Sequence, residues 1–171
     1  MKNFTQDLDE MKEITQFLEK DLDNIKRVVD FCEENQLDIE FEIHAKAETV
    51  DQSVQHSNIS KDQIIKTLVF VGEEAYAVLC PGDKRVNEDK LGEIVDEEDL
   101  NLANPEEVEE YTGYVIGGVS PFDLDIPVCI EKELLNKDMV RPAAGSRLVG
   151  ARIAPEKLKE TIDADEVEIA E

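Results

Sequence analysis

Lys66 is the only charged side chain in the run Ile64-Ile65-Lys66-Thr67-Leu68-Val69-Phe70-Val71. An ammonium among apolar neighbours is costly unless its immediate site is polar. In such a site it can donate to a carbonyl, a phosphate or a developing oxyanion. The same residue can equally act as a gatekeeper at the start of a strand. A second segment, Gly117-Gly118-Val119-Ser120-Pro121-Phe122, pairs two glycines with a hydroxyl. Glycines let backbone approach a ligand and leave N–H groups free to point at it, although a bare Gly-Gly also makes an ordinary strand-ending turn. Ala143-Ala144-Gly145-Ser146 is a third small-residue stretch, read as a loop between two strands.

Other chemistries lack their residues. No Gly-x-Gly-x-x-Gly, no Gly-x-x-x-x-Gly-Lys-Ser/Thr and no Gly-x-Ser-x-Gly occurs, so nucleotide loops and a nucleophile elbow are unsupported. The only histidines are His44 and His56, which leaves a serine–histidine triad little basis. Cys32, Cys80 and Cys129 are far apart with no Cys-x-x-Cys, so no metal site and no cofactor is expected. Isolated cysteines of this kind are usually small buried hydrophobes. Tyr76, Tyr111 and Tyr114 are too scattered for a base-stacking platform.

The 171 residues carry 18 Lys and Arg against 42 Asp and Glu, a net charge of −24. That excludes a generic basic nucleic-acid binder, DNA included, and suits a salt-rich cytoplasm in which self-repulsion is screened. The acids are unevenly spread. Residues 86–112 hold 11 acids and one base, whereas residues 61–85 are neutral and residues 131–159 have 7 bases against 4 acids. An anionic ligand would be drawn to the last two stretches, around Lys66 and around Arg141, Arg147 and Arg152. No apolar run approaches a membrane span. The first 20 residues are polar, with acids at Asp7, Asp9 and Glu10, unlike a signal peptide. The expected location is the cytoplasm.

The elements that must position these groups follow from periodicity. Phe4, Leu8, Met11, Leu18, Leu22, Ile25 and Val29 repeat at alternating four-three spacing, with Thr15 in the gap. This predicts an amphipathic helix. Asp21, Asp23 and Asn24 are poor helix formers. A break is therefore expected near 21–24, separating a helical N-terminal extension (1–21) from a domain (22–171). The stripe also fits a coiled-coil seam, and so a homodimer or another docking partner. Strands are expected at 39–43, 67–71, 75–80, 114–116, 127–130, 139–141 and 148–153, with the second and third forming a hairpin. Ser60 with Gln63 resembles a capping box for a short helical turn. Short helices are expected at 87–94 and 156–162. Another is expected between Asn104-Pro105 and Gly113, which carry start and stop signals. Hairpins with interspersed helices, and no regular βαβ alternation, indicate a mixed, largely antiparallel α+β domain.

Three segments together resemble one family. Ile65-Lys66-Thr67-Leu68-Val69 is similar to its lysine motif. Residues 112–121, Thr-Gly-Tyr-Val-Ile-Gly-Gly-Val-Ser-Pro, are similar to its most characteristic segment. Gly145-Ser146-Arg147, with the strand and helix through Ile153-Ala154-Pro155-Glu156-Lys157-Leu158, resembles its closing elements. The family is the YbaK/ProX group of aminoacyl-tRNA editing domains, related to the insertion domain of bacterial prolyl-tRNA synthetases. The likeness runs in order from about Leu22 to the C-terminus. It implies a single α+β domain with a curved, mixed, mostly antiparallel sheet and flanking helices. It further implies hydrolysis of the ester of a mischarged tRNA, with Cys- or Ala-tRNA for proline as the usual targets. Lys66 would then be the catalytic residue. Thr67, Gly117, Gly118, Ser120, Pro121, Gly145 and Ser146 would bind substrate, and neither metal nor cofactor would be needed. The implied partners are the acceptor end of the tRNA and prolyl-tRNA synthetase, with no membrane. A non-catalytic tRNA- or synthetase-binding module, docking through the N-terminal helix, is the alternative. The family commonly has glycine where this chain has Asp123.

Overall fold

The computed structural model describes residues 4–43 and 59–171, with side chains from residue 8 onward. His44, His56 and the stretch between them lie outside the described residues. The first element is a single helix, α1 (Phe4–Glu34), which runs unbroken through the expected break at 21–24. The reason is tertiary. Helix propensity charges Asp and Asn only about 0.5–0.7 kcal/mol each relative to Ala, whereas here both are buried and held. The Ser146 hydroxyl donates to Asp21 Oδ2 at 2.5 Å, and the Asn24 backbone packs on Gly145. Val28 and Cys32 continue the same face into the core. N-terminal to this contact the helix leaves the body, and Leu8, Met11, Ile14, Phe17, Leu18 and Leu22 are exposed.

Two sheets follow. The larger has the order β4-β2-β3-β5-β8, formed by β2 (Ile65–Val71), β3 (Ala75–Pro81), β4 (Asn101–Leu102), β5 (Val128–Glu131) and β8 (Asp165–Val167). The β2–β3 hairpin and the β2–β4 pair are antiparallel, while β3–β5 and β5–β8 are parallel. The smaller sheet, wholly antiparallel, has the order β1-β7-β6, from β1 (Glu40–Ile43), β6 (Ala143–Ser146) and β7 (Val149–Arg152). Helices α2 (Glu88–Val95), α3 (Pro105–Thr112) and α4 (Pro155–Ile162) flank them. The start signals of α3 work as read: Asn104 Oδ1 accepts from Glu107 N at 2.9 Å, Pro105 follows, and Gly113 closes the helix at φ +76°. The capping-box residues bracket a short 3-10 turn, Lys61–Gln63, with Gln63 Oε1 accepting from Ser60 N at 3.2 Å.

The large sheet separates two apolar layers. Ile65, Val69, Ala77 and Leu79 face one that includes Val28, Val119, Phe122, Ala144 and Val149. Phe70, Tyr76 and Val78 face the other, with Leu91, Leu100 and Ile169. The fold is the mixed, mostly antiparallel α+β arrangement that the sequence predicts. Three local expectations are corrected. Residues 114–116 are not a strand: the buried Tyr114 hydroxyl donates to Phe122 O at 2.7 Å, so the apolar residues serve a loop folded on its own tyrosine. Residues 139–141 make only single bridges, Val140 to Ile153 and Arg141 to Ile64. The small-residue stretch Ala143–Ser146, read as a loop, is strand β6, because its lack of side-chain bulk lets α1 lie directly on it.

Candidate active site

Lys66 is the second residue of β2, half-buried and paired in register with Cys80 across the hairpin. Its ammonium donates to the backbone carbonyl of Lys84. Among the described residues no carboxylate pairs with it. The strand end is pinned by Ile65 N donating to Arg141 O at 3.1 Å and by Gly82 N donating to Ile64 O at 2.8 Å. Alternation places Lys66 on the face of β2 that carries Leu68 and Phe70. Thr67 is on the opposite face with Ile65 and Val69, toward the layer that contains Val119 and Ala144. Its Oγ1 is buried without a hydrogen-bond partner. A hydroxyl left so forfeits about 1–3 kcal/mol of solvation.

The loop after α3 is built around bare backbone. Gly117 adopts φ +90°, and Gly118 N donates to Val115 O at 2.9 Å. A Cβ on Gly118 would sit 2.9 Å from Ser146 Cα, a distance real Cβ atoms essentially never show, so only glycine fits there. The structure thereby brings Gly118 and Ser146 into contact. Gly117 lies beside the Arg147 side chain, whose Nη2 donates to Ile116 O at 3.4 Å. Ser120 and Pro121 are buried, and Ser120 Oγ accepts from Phe122 N at 3.3 Å. Gly145, at φ +88°, lies against α1, where an added Cβ would be 2.6 Å from the Asn24 carbonyl. No hydrogen bond joins Lys66 to Gly117, Gly118, Ser120 or Ser146 among the described residues.

Three neighbours of the candidate site lie on α1: Asp21 and Asn24, which the sequence reading took only as poor helix formers, and Arg27, which it did not single out. Asp21 holds Ser146, and Asn24 backs Gly145. Arg27 Nε donates to Asp123 Oδ2 at 2.8 Å, its Nη1 donates to Thr112 O at 2.6 Å, and its Nη2 donates to Asp123 O. The guanidinium carbon stands 4.2 Å from the centre of the Tyr114 ring, a cation–π distance. The available signal was the polar pair at 21 and 24 inside an apolar stripe, which marks partners rather than a break.

Near the strand end Arg141, Arg152 and Lys84 are each paired with a carboxylate. Arg141 is 3% exposed and pairs with Glu42 at 2.9 Å; Arg152 shares the same carboxylate. Burial lowers the Arg141 pKa from its ordinary value. One of its nitrogens, Nη2, is buried without a partner. Lys84 pairs with Glu133 at 2.6 Å. The thiols are unsuited to nucleophilic work: burial pushes Cys32, Cys80 and Cys129 each up to about 11, far from the thiolate range of reactive cysteines. Among the described residues no cluster of His, Cys, Asp or Glu can hold a metal ion. Among the described residues no helix is long and apolar enough to cross a membrane. The arrangement offers an ammonium, glycine backbone and a buried hydroxyl, which suits a reaction that needs positioning and charge stabilisation more than a strong nucleophile.

The likeness to known proteins agrees with this reading. The profile of the aminoacyl-tRNA editing domain matches residues 44–169. The chain is 34% identical over 87 residues to a proline–tRNA ligase of Caldicellulosiruptor saccharolyticus, which covers half of this chain but only 15% of the ligase. It is 32% identical over 123 residues to the uncharacterized protein YwhH of Bacillus subtilis, covering 70% of this chain and 78% of that one. The crystal structure of a candidate trans-editing enzyme for prolyl tRNA synthetase superposes with a TM-score of 0.79 at 31% identity, covering 86% of this chain and 97% of the other. With three quarters of its length inside the profile and the same fold, the chain belongs to the aminoacyl-tRNA editing domain family.

Proposed function

We propose that this protein is a trans-acting aminoacyl-tRNA deacylase that hydrolyses the ester of mischarged tRNA for proline, with cysteine or alanine as the amino acid removed. The observation that carries the reading is the contact between Gly118 and Ser146, where two small-residue segments from different sheets and loops meet with no room for a side chain. That contact seats the exposed Gly117 turn, at φ +90°, against the end of β6, and backbone without a side chain at such a turn can approach a small aminoacyl group closely. Water adds to the ester carbonyl carbon, the bond to the ribose oxygen breaks, and a proton from the water ends on the ribose hydroxyl. Alternation turns Lys66 away from the face that Thr67 shares with the loops, so its role here is to reach around the start of β2 and stabilise the oxyanion, and a neutral activated ester needs little more. The opposite alternation of Lys66 and Thr67 on β2 makes Thr67 the hydroxyl directed toward the loops, in a substrate-binding role. The acceptor end of the tRNA enters beside Arg147, which lies against the Gly117 turn, and prolyl-tRNA synthetase is the source of the mischarged substrate.

The test is a deacylation assay with purified protein on Cys-, Ala- and Pro-charged tRNA for proline. Release of cysteine or alanine with sparing of proline is expected; inertness toward all three would overturn the reading.

A second reading concerns α1. Six large apolar side chains from Leu8 to Leu22 are 43–65% exposed, and four of them, Leu8, Met11, Leu18 and Leu22, keep the four-three spacing of a coiled-coil seam with Thr15 in the gap. We infer that a second copy of the chain covers them. The net charge of −24 opposes such pairing, so a dimer of this kind should tighten as salt is added. A monomer by sedimentation velocity at both low and high salt would end this reading.

A further inference from the structure

Arg27 touches both ends of the loop that carries Gly117, Gly118, Ser120 and Pro121. Its guanidinium takes the carbonyl of Thr112, the last residue of α3, together with the carbonyl and carboxylate of Asp123. Between those ends the loop wraps Tyr114, which is fully buried with its ring against the same guanidinium. Arg27 and Asp123 are 96 residues apart in sequence, so nothing local enforces the contact. Asp123 meanwhile sits at φ +61°, a conformation that suits glycine. An L-residue with a carboxylate is therefore held in a glycine-like position, and its partner is an arginine on the N-terminal helix.

We propose that Arg27 and Asp123 form a latch that makes α1 a positioning element of the aminoacyl pocket, with amino-acid selectivity depending on it. The inference rests on the deacylase reading for its selectivity arm and on geometry alone for its latch arm. Both walls of the site lean on α1. Residues 112–123 are closed by Arg27, and Gly145 and Ser146 are backed by Asn24 and Asp21. Small side chains such as those of cysteine, alanine and proline differ by little, so discrimination depends on wall placement within a fraction of an ångström. Arg27 and Asp123 are 27% and 50% exposed at the side chain. An ion pair in that setting contributes little to global stability, which separates positioning from mere folding. A lone surface pair would hold one point, whereas this guanidinium joins two loop ends, and that is the feature that confers order.

The experiment compares Arg27→Ala, Arg27→Lys and Asp123→Gly in the full chain, with amide hydrogen exchange and deacylation kinetics as the readouts. Exchange in residues 114–121 should speed by about tenfold in Arg27→Ala and Asp123→Gly, while exchange in the β2–β3 hairpin stays put. Arg27→Lys should recover only part of the protection, because an ammonium cannot span both loop ends. In kinetics, KM should rise and preference among Cys-, Ala- and Pro-charged tRNA should narrow, with kcat changed less. Asp123→Gly is the control for strain: it relieves the positive φ yet should loosen the loop as Arg27→Ala does. Unchanged loop exchange in both variants would overturn the latch whether or not the protein is a deacylase. Faster loop exchange with unaltered KM and preference would overturn the selectivity arm. Inertness of the unaltered protein toward all charged tRNAs would remove the deacylase reading and with it the selectivity arm, leaving the latch decided by exchange alone.

Discussion

The strand end at Lys66 and the wall backed by α1 are built on opposite plans. At the strand end one ammonium rests on a single backbone carbonyl, with no carboxylate partner among the described residues. At the wall, Asn24 Nδ2 apart, the polar side chains are tied down: Ser146 to Asp21, Asp123 to Arg27, Tyr114 to Phe122. A charge that must answer to a transient oxyanion gains from having few competing partners. A surface that must distinguish small side chains gains from having many. On the proposed deacylase reading the two regions divide reactivity from selectivity, and variants in each should separate the two.

The largest effect is expected at the strand end. Lys66→Ala should lower deacylation by about 10²–10³-fold, the usual cost of removing one oxyanion donor. Circular dichroism and melting temperature should change little, since the ammonium supports only one carbonyl. If the rate survives, reactivity does not reside there and the division fails.

Next comes a break in the wall. Gly145→Ala forces a Cβ to 2.6 Å from the Asn24 carbonyl at φ +88°. Overpacking of this kind costs about 1–3 kcal/mol before the left-handed strain is added. Thermal denaturation should show a fall of roughly 5–15 °C for a chain of this size. An unchanged melting temperature would mean that α1 does not lie on β6.

Thr67→Val sharpens the comparison from the other side of β2. The substitution keeps the shape and removes a buried hydroxyl that lacks a partner. Stability should rise by about 1 kcal/mol, read as a higher denaturation midpoint, while deacylation falls if the hydroxyl meets substrate. A loss of stability would show that the hydroxyl is satisfied in solution.

The smallest effect belongs to removal of residues 1–20. This deletes the projecting part of α1 and the exposed Lys20–Glu109 pair, and keeps Asp21, Asn24, Arg27 and Val28. Exposed ion pairs contribute about 0–1 kcal/mol, so melting temperature and deacylation should hold nearly level. An unfolded or inert truncate would place the wall's support further up the helix.

Much of the fold is legible in particular residues. Asn104, Pro105 and Gly113 bound a helix because cap, fixed φ and left-handed glycine act within a few residues. The β2–β3 hairpin follows from two apolar runs joined by Gly72, Glu73 and Glu74. The segments that carry the candidate site are likewise visible, since Lys66, Gly117-Gly118 and Gly145-Ser146 are unusual in local composition. Their relations are not. Residues 114–116 have the apolar character of a strand, yet an intraloop bond from Tyr114 to Phe122 decides otherwise. Ala143–Ser146 looks like a loop by residue size and is a strand because α1 needs a flat partner.

The sequence by itself determined the acidic balance, the amphipathic character of α1, the main strands and the identity of the family's motifs. All of these depend on residue type and short-range periodicity. Only the tertiary structure decided that Asp21 and Asn24 continue a helix instead of ending it, that Gly118 meets Ser146, and that Arg27 reaches across 96 residues to Asp123. Those outcomes rest on contacts between distant segments. Local preferences there amount to a few tenths of a kcal/mol per residue, and burying one Val or Leu side chain outweighs several of them.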